Sequence, residues 1–136
     1  MWSVFSASTI GKRNLEQGVA GQDASHCVVT DDVLVAIVCD GAGSAPEGRT
    51  GSQFIARTLA EQLSATLQAE GSASLEATIQ SAIEPVRARL ADLAASRQLA
   101  LQDFSSTLLG CVATRGGGCF FHIGDGFAIR HTCPGH

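Results

Sequence analysis

The hydrophobic positions along the chain change period twice, and each change marks a different kind of element. Trp2 to Thr9 alternates loosely and predicts a strand, followed by a polar, glycine-bearing stretch from Gly11 to Gly21. Ala24 to Thr30 and Val33 to Cys39 are β-type runs, and Asp31-Asp32 between them predicts a tight hairpin. Asp-Asp is a weaker turn than Asn-Gly, because both residues would need positive φ. Asp40-Gly41-Ala42-Gly43 breaks the second strand, and Ser44-Ala45-Pro46-Glu47 has the Ser-x-x-Glu spacing of a capping box. Ile55, Leu59, Leu63 and Leu67 then recur every fourth residue, which keeps one helical face toward a core until Gly71 ends it. Leu75, Ile79, Ala82, Ile83, Val86, Leu90 and Leu93 predict a second helix, with a kink or break at Pro85. The remainder is β again: Ser105 to Thr114, Gly118 to Ile123, and Phe127 to His131 after a turn at Asp125-Gly126.

Strands, two helices, then strands imply an α+β fold, with the helices covering one face of a mainly antiparallel sheet. A chain of 136 residues suffices for one domain, and no repeat or low-complexity linker divides it. The longest apolar run, Val33 to Cys39, is far short of the roughly 20 residues that cross a bilayer. Met1 to Phe5 lacks the basic flank and long apolar core of a secretory signal, so no membrane partner is expected. The net charge of −4 argues against a nucleic-acid partner. Cys27, Cys39, Cys111, Cys119 and Cys133 are odd in number and sit mostly in apolar runs. They read as buried free thiols of a reducing, cytoplasmic compartment. His131, Cys133 and His136 lack the paired spacing of a structural zinc site.

The hairpin carries a chemical consequence. With a two-residue loop, Thr30 pairs with Val33, Ser25 with Val38, and Asp23 falls opposite Asp40. Directly opposed side chains share a face, with Cβ atoms about 4.5–5.5 Å apart. Two carboxylates there repel, so either one takes up a proton or a cation sits between them. Mg²⁺ and Mn²⁺ favour such oxygen ligands. Gly41 has no side chain, which lets its carbonyl approach an ion. A plainer reading stays open, since Asp often begins turns at strand ends. Asp125, also at the end of an apolar strand, reads on its own as half of an Asp-Gly turn.

Gly21-Gln22-Asp23-Ala24 is followed by Val35-Ala36-Ile37-Val38-Cys39-Asp40-Gly41-Ala42-Gly43, with Glu47 downstream. Phe104-Ser105-Ser106-Thr107-Leu108 and Ile123-Gly124-Asp125-Gly126 come later. In order and spacing these segments resemble the metal-dependent protein serine/threonine phosphatases of the 2C type. The resemblance covers nearly the whole chain and implies that residues 1–136 are the N-terminal portion of that catalytic domain.

It further implies a dinuclear Mg²⁺ or Mn²⁺ centre between two packed sheets. Asp40 would bridge the metals, the Gly41 carbonyl would bind one, Asp23 would hold metal-bound water, and Asp125 would sit near an additional metal position. The activated water would attack the phosphorus of a phosphoserine or phosphothreonine in a phosphoprotein substrate. The family's second half supplies two further metal-binding aspartates, so this chain alone is expected to be weak or inactive. Gln22 stands where the family often has Glu. The nearest basic residues before Asp23 are Lys12 and Arg13, which leaves the grip on the substrate phosphate unassigned.

Two other readings remain open. One is a catalytically inactive phosphatase-like binding domain. The other is a nucleotide-binding protein, because Gly43 to Thr50 nearly matches Gly-x4-Gly-Lys-Ser/Thr, with Arg49 in place of the lysine. Cys39 lacks the Cys-x5-Arg loop of cysteine phosphatases and reads as a buried structural thiol. His26 and His122 read as core or surface histidines. Arg49, Arg57 and Glu61 read as a solvated helix face, with Arg57 and Glu61 at i,i+4 spacing.

Overall fold

A computed structural model of the chain describes residues 2–18, 20–70 and 74–132. Its elements are α1 (Lys12–Glu16), β1 (Asp23–Val29), β2 (Val33–Asp40), α2 (Gly48–Glu70), α3 (Leu75–Ser96), a 3₁₀ turn (Leu101–Phe104), β3 (Leu108–Thr114) and β4 (Gly117–Ile123). The strands form one antiparallel sheet in the order β1-β2-β3-β4, so the fold is α+β with its helices against that sheet.

Strand alternation decides which face the helices cover. Val33, Val35, Ile37 and Cys39 of β2 are buried, and register places Val35 between Val28 of β1 and Val112 of β3. The fourfold spacing of Leu59, Leu63 and Leu67 on α2 fills this face, with the small Ala56 and Ala60 beside them allowing close approach. Ile79, Ala82 and Val86 of α3 join the same core, while Leu90 and Ala94 pack with Phe104 in a second cluster. Each such large aliphatic side chain, once buried, contributes about 1.5–3 kcal/mol.

The β1–β2 hairpin has its two-residue loop, closed by Thr30 N–H donating to the Val33 carbonyl at 2.8 Å. Neither Asp31 nor Asp32 adopts positive φ; among the described residues Gln98 is the one non-glycine that does. Side chains secure the turn instead. The Val33 N–H donates to Thr30 Oγ1 at 3.1 Å, and Asp32 pairs with Arg115 of the β3–β4 turn at 2.7 Å.

Several sequence expectations need correction. Trp2 to Thr9 belongs to no sheet, because its weak alternation gives way to small polar residues after Phe5 and no described edge pairs with it. Phe127 to His131 is likewise not a strand: Phe127 and Ile129 are 92% and 88% exposed, without a partner edge among the described residues. The capping box at Ser44 does not form. Bonds from Ala45 N–H to Ala42 and from Gly48 N–H to Ala45 wind the chain tightly, and the helix begins only at Gly48. There Glu47 accepts a hydrogen bond from Thr50 Oγ1 at 3.0 Å.

Helix α3 runs unbroken through Pro85. Both Pro85 and Ser81, whose carbonyl loses its intrahelical donor, lie on the solvent side, where water can replace the missing bond. The Ser74 hydroxyl caps its start by accepting the Ala77 N–H at 3.2 Å. Gly71, Cys133 and His136 lie outside the described residues. No described helix is long and apolar enough to cross a membrane.

Candidate functional site

Asp23 begins β1, Asp40 ends β2, and the ladder pairs them directly. Beyond this pair, the chain from Asp40 to Ala42 is threaded between two other segments. Gly41 N–H donates to the Gln22 carbonyl at 3.0 Å and Ala42 N–H to the Ser105 carbonyl at 2.9 Å. Asp40 N–H donates to Thr107 Oγ1 at 3.0 Å, while Thr107 N–H donates to the Asp40 carbonyl at 2.9 Å. The Asp40 backbone is thus fixed although its carboxylate faces solvent.

Packing requires a glycine at position 41. A Cβ there would stand 2.4 Å from the Gly48 carbonyl oxygen and 2.9 Å from that of Gln22. Gly48 is confined in turn, since its own Cβ would lie 2.9 Å from the Ala42 carbonyl oxygen. The glycine spacing that resembles a nucleotide loop therefore serves a close strand–helix contact. The sheet is antiparallel throughout, without the parallel strand–loop–helix–strand unit such a loop belongs to.

Electrostatics single out the same pair. A hydrogen bond with the Asp23 carboxyl, which requires a shared proton, raises the Asp40 carboxyl above its ordinary value. Partial burial and the negative charges of Asp23 and Asp125 add to the rise. Asp125 follows Gly124, whose φ of 89° bends the chain after β4. The three sequence-selected aspartates are therefore electrostatically linked at one end of the sheet. Two opposed carboxylates competing for a proton are the condition a divalent cation relieves, so the pair fits part of a ligand set. It is not a complete one: among the described residues no three His, Cys, Asp or Glu side chains gather to hold an ion.

Asp23 and Asp40 border a cleft of about 500 Å³ on the sheet face away from the helices, lined also by Ser25, Ala36, Val38 and residues 4–9. Residues 4–9 thus form a wall rather than a strand, a placement without a signal in their own pattern. The anchoring role of Thr107 also escapes a reading by spacing alone, because a threonine at a strand end looks like β-propensity.

The remaining candidates settle simply. Cys39 is fully buried and its thiol is pushed up to about 12 by burial, which removes it as a nucleophile. Cys27, Cys111 and Cys119 are only partly buried: register sets Cys27 and Cys111 beside Ala36 on the sheet face away from the helices, and Cys119 lies on the edge strand β4. His26 Nε2 lies 3.9 Å from Glu61, and exposed His122 places Nδ1 3.1 Å from the Gly124 carbonyl. Arg57 and Glu61 form their i,i+4 pair at 3.4 Å.

Comparison with known proteins bears on the chain as a whole. The family model for protein phosphatase 2C matches residues 10–133. Over 133 residues the chain is 27% identical to serine/threonine-protein phosphatase 3 of Escherichia coli (strain K12), covering 94% of this chain and 53% of that protein. The chain therefore spans about half the length of this curated relative. With the family model matching from residue 10 to residue 133, the chain belongs to the protein phosphatase 2C family.

Proposed function

We propose that this chain is the N-terminal part of a metal-dependent phosphatase that hydrolyses phosphoserine and phosphothreonine in phosphoproteins. The observation that carries the reading is the direct opposition of Asp23 and Asp40, with the Asp40 carboxyl raised by its neighbour. Asp23, Asp40 and the Gly41 carbonyl would hold Mg²⁺ or Mn²⁺, with Asp125 near a further position. The ion supplies a nucleophile at neutral pH and offsets charge on the phosphoryl oxygens. The chain's own residues concentrate negative charge at one point, fix the Asp40 backbone and border a cleft on the open sheet face. Cys27, Cys39, Cys111 and Cys119 are free thiols, which supports a reducing, cytoplasmic setting.

A second reading, a phosphatase-like binding domain without turnover, is favoured by the incomplete ligand set among the described residues. The two separate in one experiment. Mn²⁺ binding is followed by water-proton relaxation in the wild type, Asp23→Asn and Asp40→Asn, beside phosphate release from a phosphothreonine peptide. Binding by the wild type that is lost in Asp40→Asn, with weak turnover, is the expected result. Unchanged Mn²⁺ affinity in Asp40→Asn would remove the proposed site. Metal binding with no detectable turnover favours the non-catalytic reading of this chain.

A further inference from the structure

We infer that Thr107 is a positioning residue that holds Asp40 and the Gly124-Asp125 turn at a fixed separation. The inference rests on the metal-facing role proposed for those aspartates. Thr107 sits between them by register. The β2–β3 ladder ends at Val38 with Leu109, and continuing it sets Asp40 beside Thr107; the bridge of Gly41 with Ser106 keeps the same register. The β3–β4 ladder ends at Leu108 with Ile123, and its continuation sets Thr107 beside Gly124. One residue thus stands between the two carboxylate-bearing segments.

Its two side-chain branches do different work. In an ordinary antiparallel pair, Asp40 N–H would donate to the Thr107 carbonyl. Here that carbonyl accepts the Ser106 hydroxyl at 2.8 Å, and Asp40 N–H donates to Thr107 Oγ1 at 3.0 Å instead. On the other side, the methyl branch faces Gly124: a Cβ on that glycine would lie 3.0 Å from Thr107 Cγ2 and 3.2 Å from Thr107 Cβ. Gly124 carries the positive φ that turns the chain into Asp125. A β-branched side chain is stiff at χ1, so fixing the hydroxyl on Asp40 also fixes the methyl on Gly124. Serine keeps the first contact, valine keeps the second, and threonine alone combines them.

A threonine present only for strand propensity would give a different pattern. Replacing a group that orients a metal ligand typically costs 10–100-fold in metal affinity with little change in fold. The test measures the Mn²⁺ dissociation constant by water-proton relaxation for the wild type, Thr107→Val and Thr107→Ser, with thermal midpoints recorded in EDTA. Thr107→Val is expected to weaken Mn²⁺ at least about tenfold while its metal-free midpoint stays near wild type. Thr107→Ser is expected to lose less, staying within about threefold of wild type, since it keeps the hydroxyl on Asp40 and gives up only the methyl against Gly124, beside the further position of Asp125. Should Thr107→Val fail to fold, Thr107→Ala against Thr107→Ser isolates the hydroxyl, as both lack the methyl. Wild-type affinity in Thr107→Val, or equal losses in the hydroxyl-bearing and hydroxyl-free variants, overturns the inference alone. An absence of Mn²⁺ binding by the wild type overturns the metal-site reading and this inference with it.

Discussion

The Gly48 carbonyl oxygen occupies the place where Gly41 would carry a side chain, 2.4 Å from an ideal Cβ. Because the blocking atom belongs to backbone, no rotamer change can make room. Gly41→Ala is therefore expected to lower unfolding free energy by about 3 kcal/mol, at the upper end of ordinary overpacking. Gly43, two residues on, has open space around its Cβ position, and Gly43→Ala should stay within about 0.5 kcal/mol of wild type. Urea unfolding of both variants checks the contrast; equal stabilities would mean that β2 and α2 are not locked together at this point.

Asp40 makes metal-free stability depend on pH in an unusual direction. Its carboxyl is raised from 3.8 by Asp23, by partial burial and by Asp125. In the window between the unfolded and raised values, the native state binds more protons than the unfolded state, so stability falls as pH rises. The Asp40 contribution is present below the unfolded value and lost on passing the raised one. Asp40→Asn cannot titrate, so in EDTA its stability advantage over wild type should grow from pH 4 toward pH 7. Thermal midpoints across that range provide the measurement, and a constant difference would show that the two carboxyls do not interact.

Cys39 should be the slowest of the described thiols to react. It is fully buried, and its thiol is pushed up to about 12 by burial against a smaller opposing effect from a Ser106 hydrogen bond. The thiolate is the reactive species, so alkylation near pH 8 needs local or global opening. Peptide mapping after a short iodoacetamide pulse is expected to find Cys27, Cys111 and Cys119 modified well before Cys39. Early labelling of Cys39 would place this end of β2 in a looser state than the packing indicates.

Legibility in the sequence followed where the information was local and periodic. The Asp23–Asp40 pairing could be read because a two-residue loop fixes every register position along the β1–β2 hairpin. The helical stripes of Leu59, Leu63 and Leu67 and of Ile79, Val86 and Leu90 were equally legible, since burial enforces the 3.6 period. Residues 2–9 and 127–131 were misread for the opposite reason: strand-like residues make a strand only beside a partner edge, and a partner is not a local property. The roles of Thr107 and Gly41 depend on residues 67 and 7 positions away along the chain. Tertiary contact alone assigns them, although the motifs around them marked the right neighbourhood.

Pro85 offers a test of how a helix survives a residue that ought to break it. Proline in a helix interior costs about 3 kcal/mol relative to alanine, through the lost N–H and the clash with the carbonyl four residues back. Helix α3 nevertheless continues from Leu75 to Ser96, held by Ile79, Ala82, Val86, Leu90 and Ala94 on its buried side. Pro85 lies on the exposed side, so substitution removes little packing there. Pro85→Ala restores a donor for the Ser81 carbonyl but loosens the unfolded chain by up to about 1 kcal/mol. The balance is a gain of about 2 kcal/mol in stability, read from the urea midpoint at constant m. Should Pro85→Ala instead destabilise the protein, the fixed backbone of proline would be part of what seats α3 against α2 and Phe104, and the residue would be structural rather than tolerated.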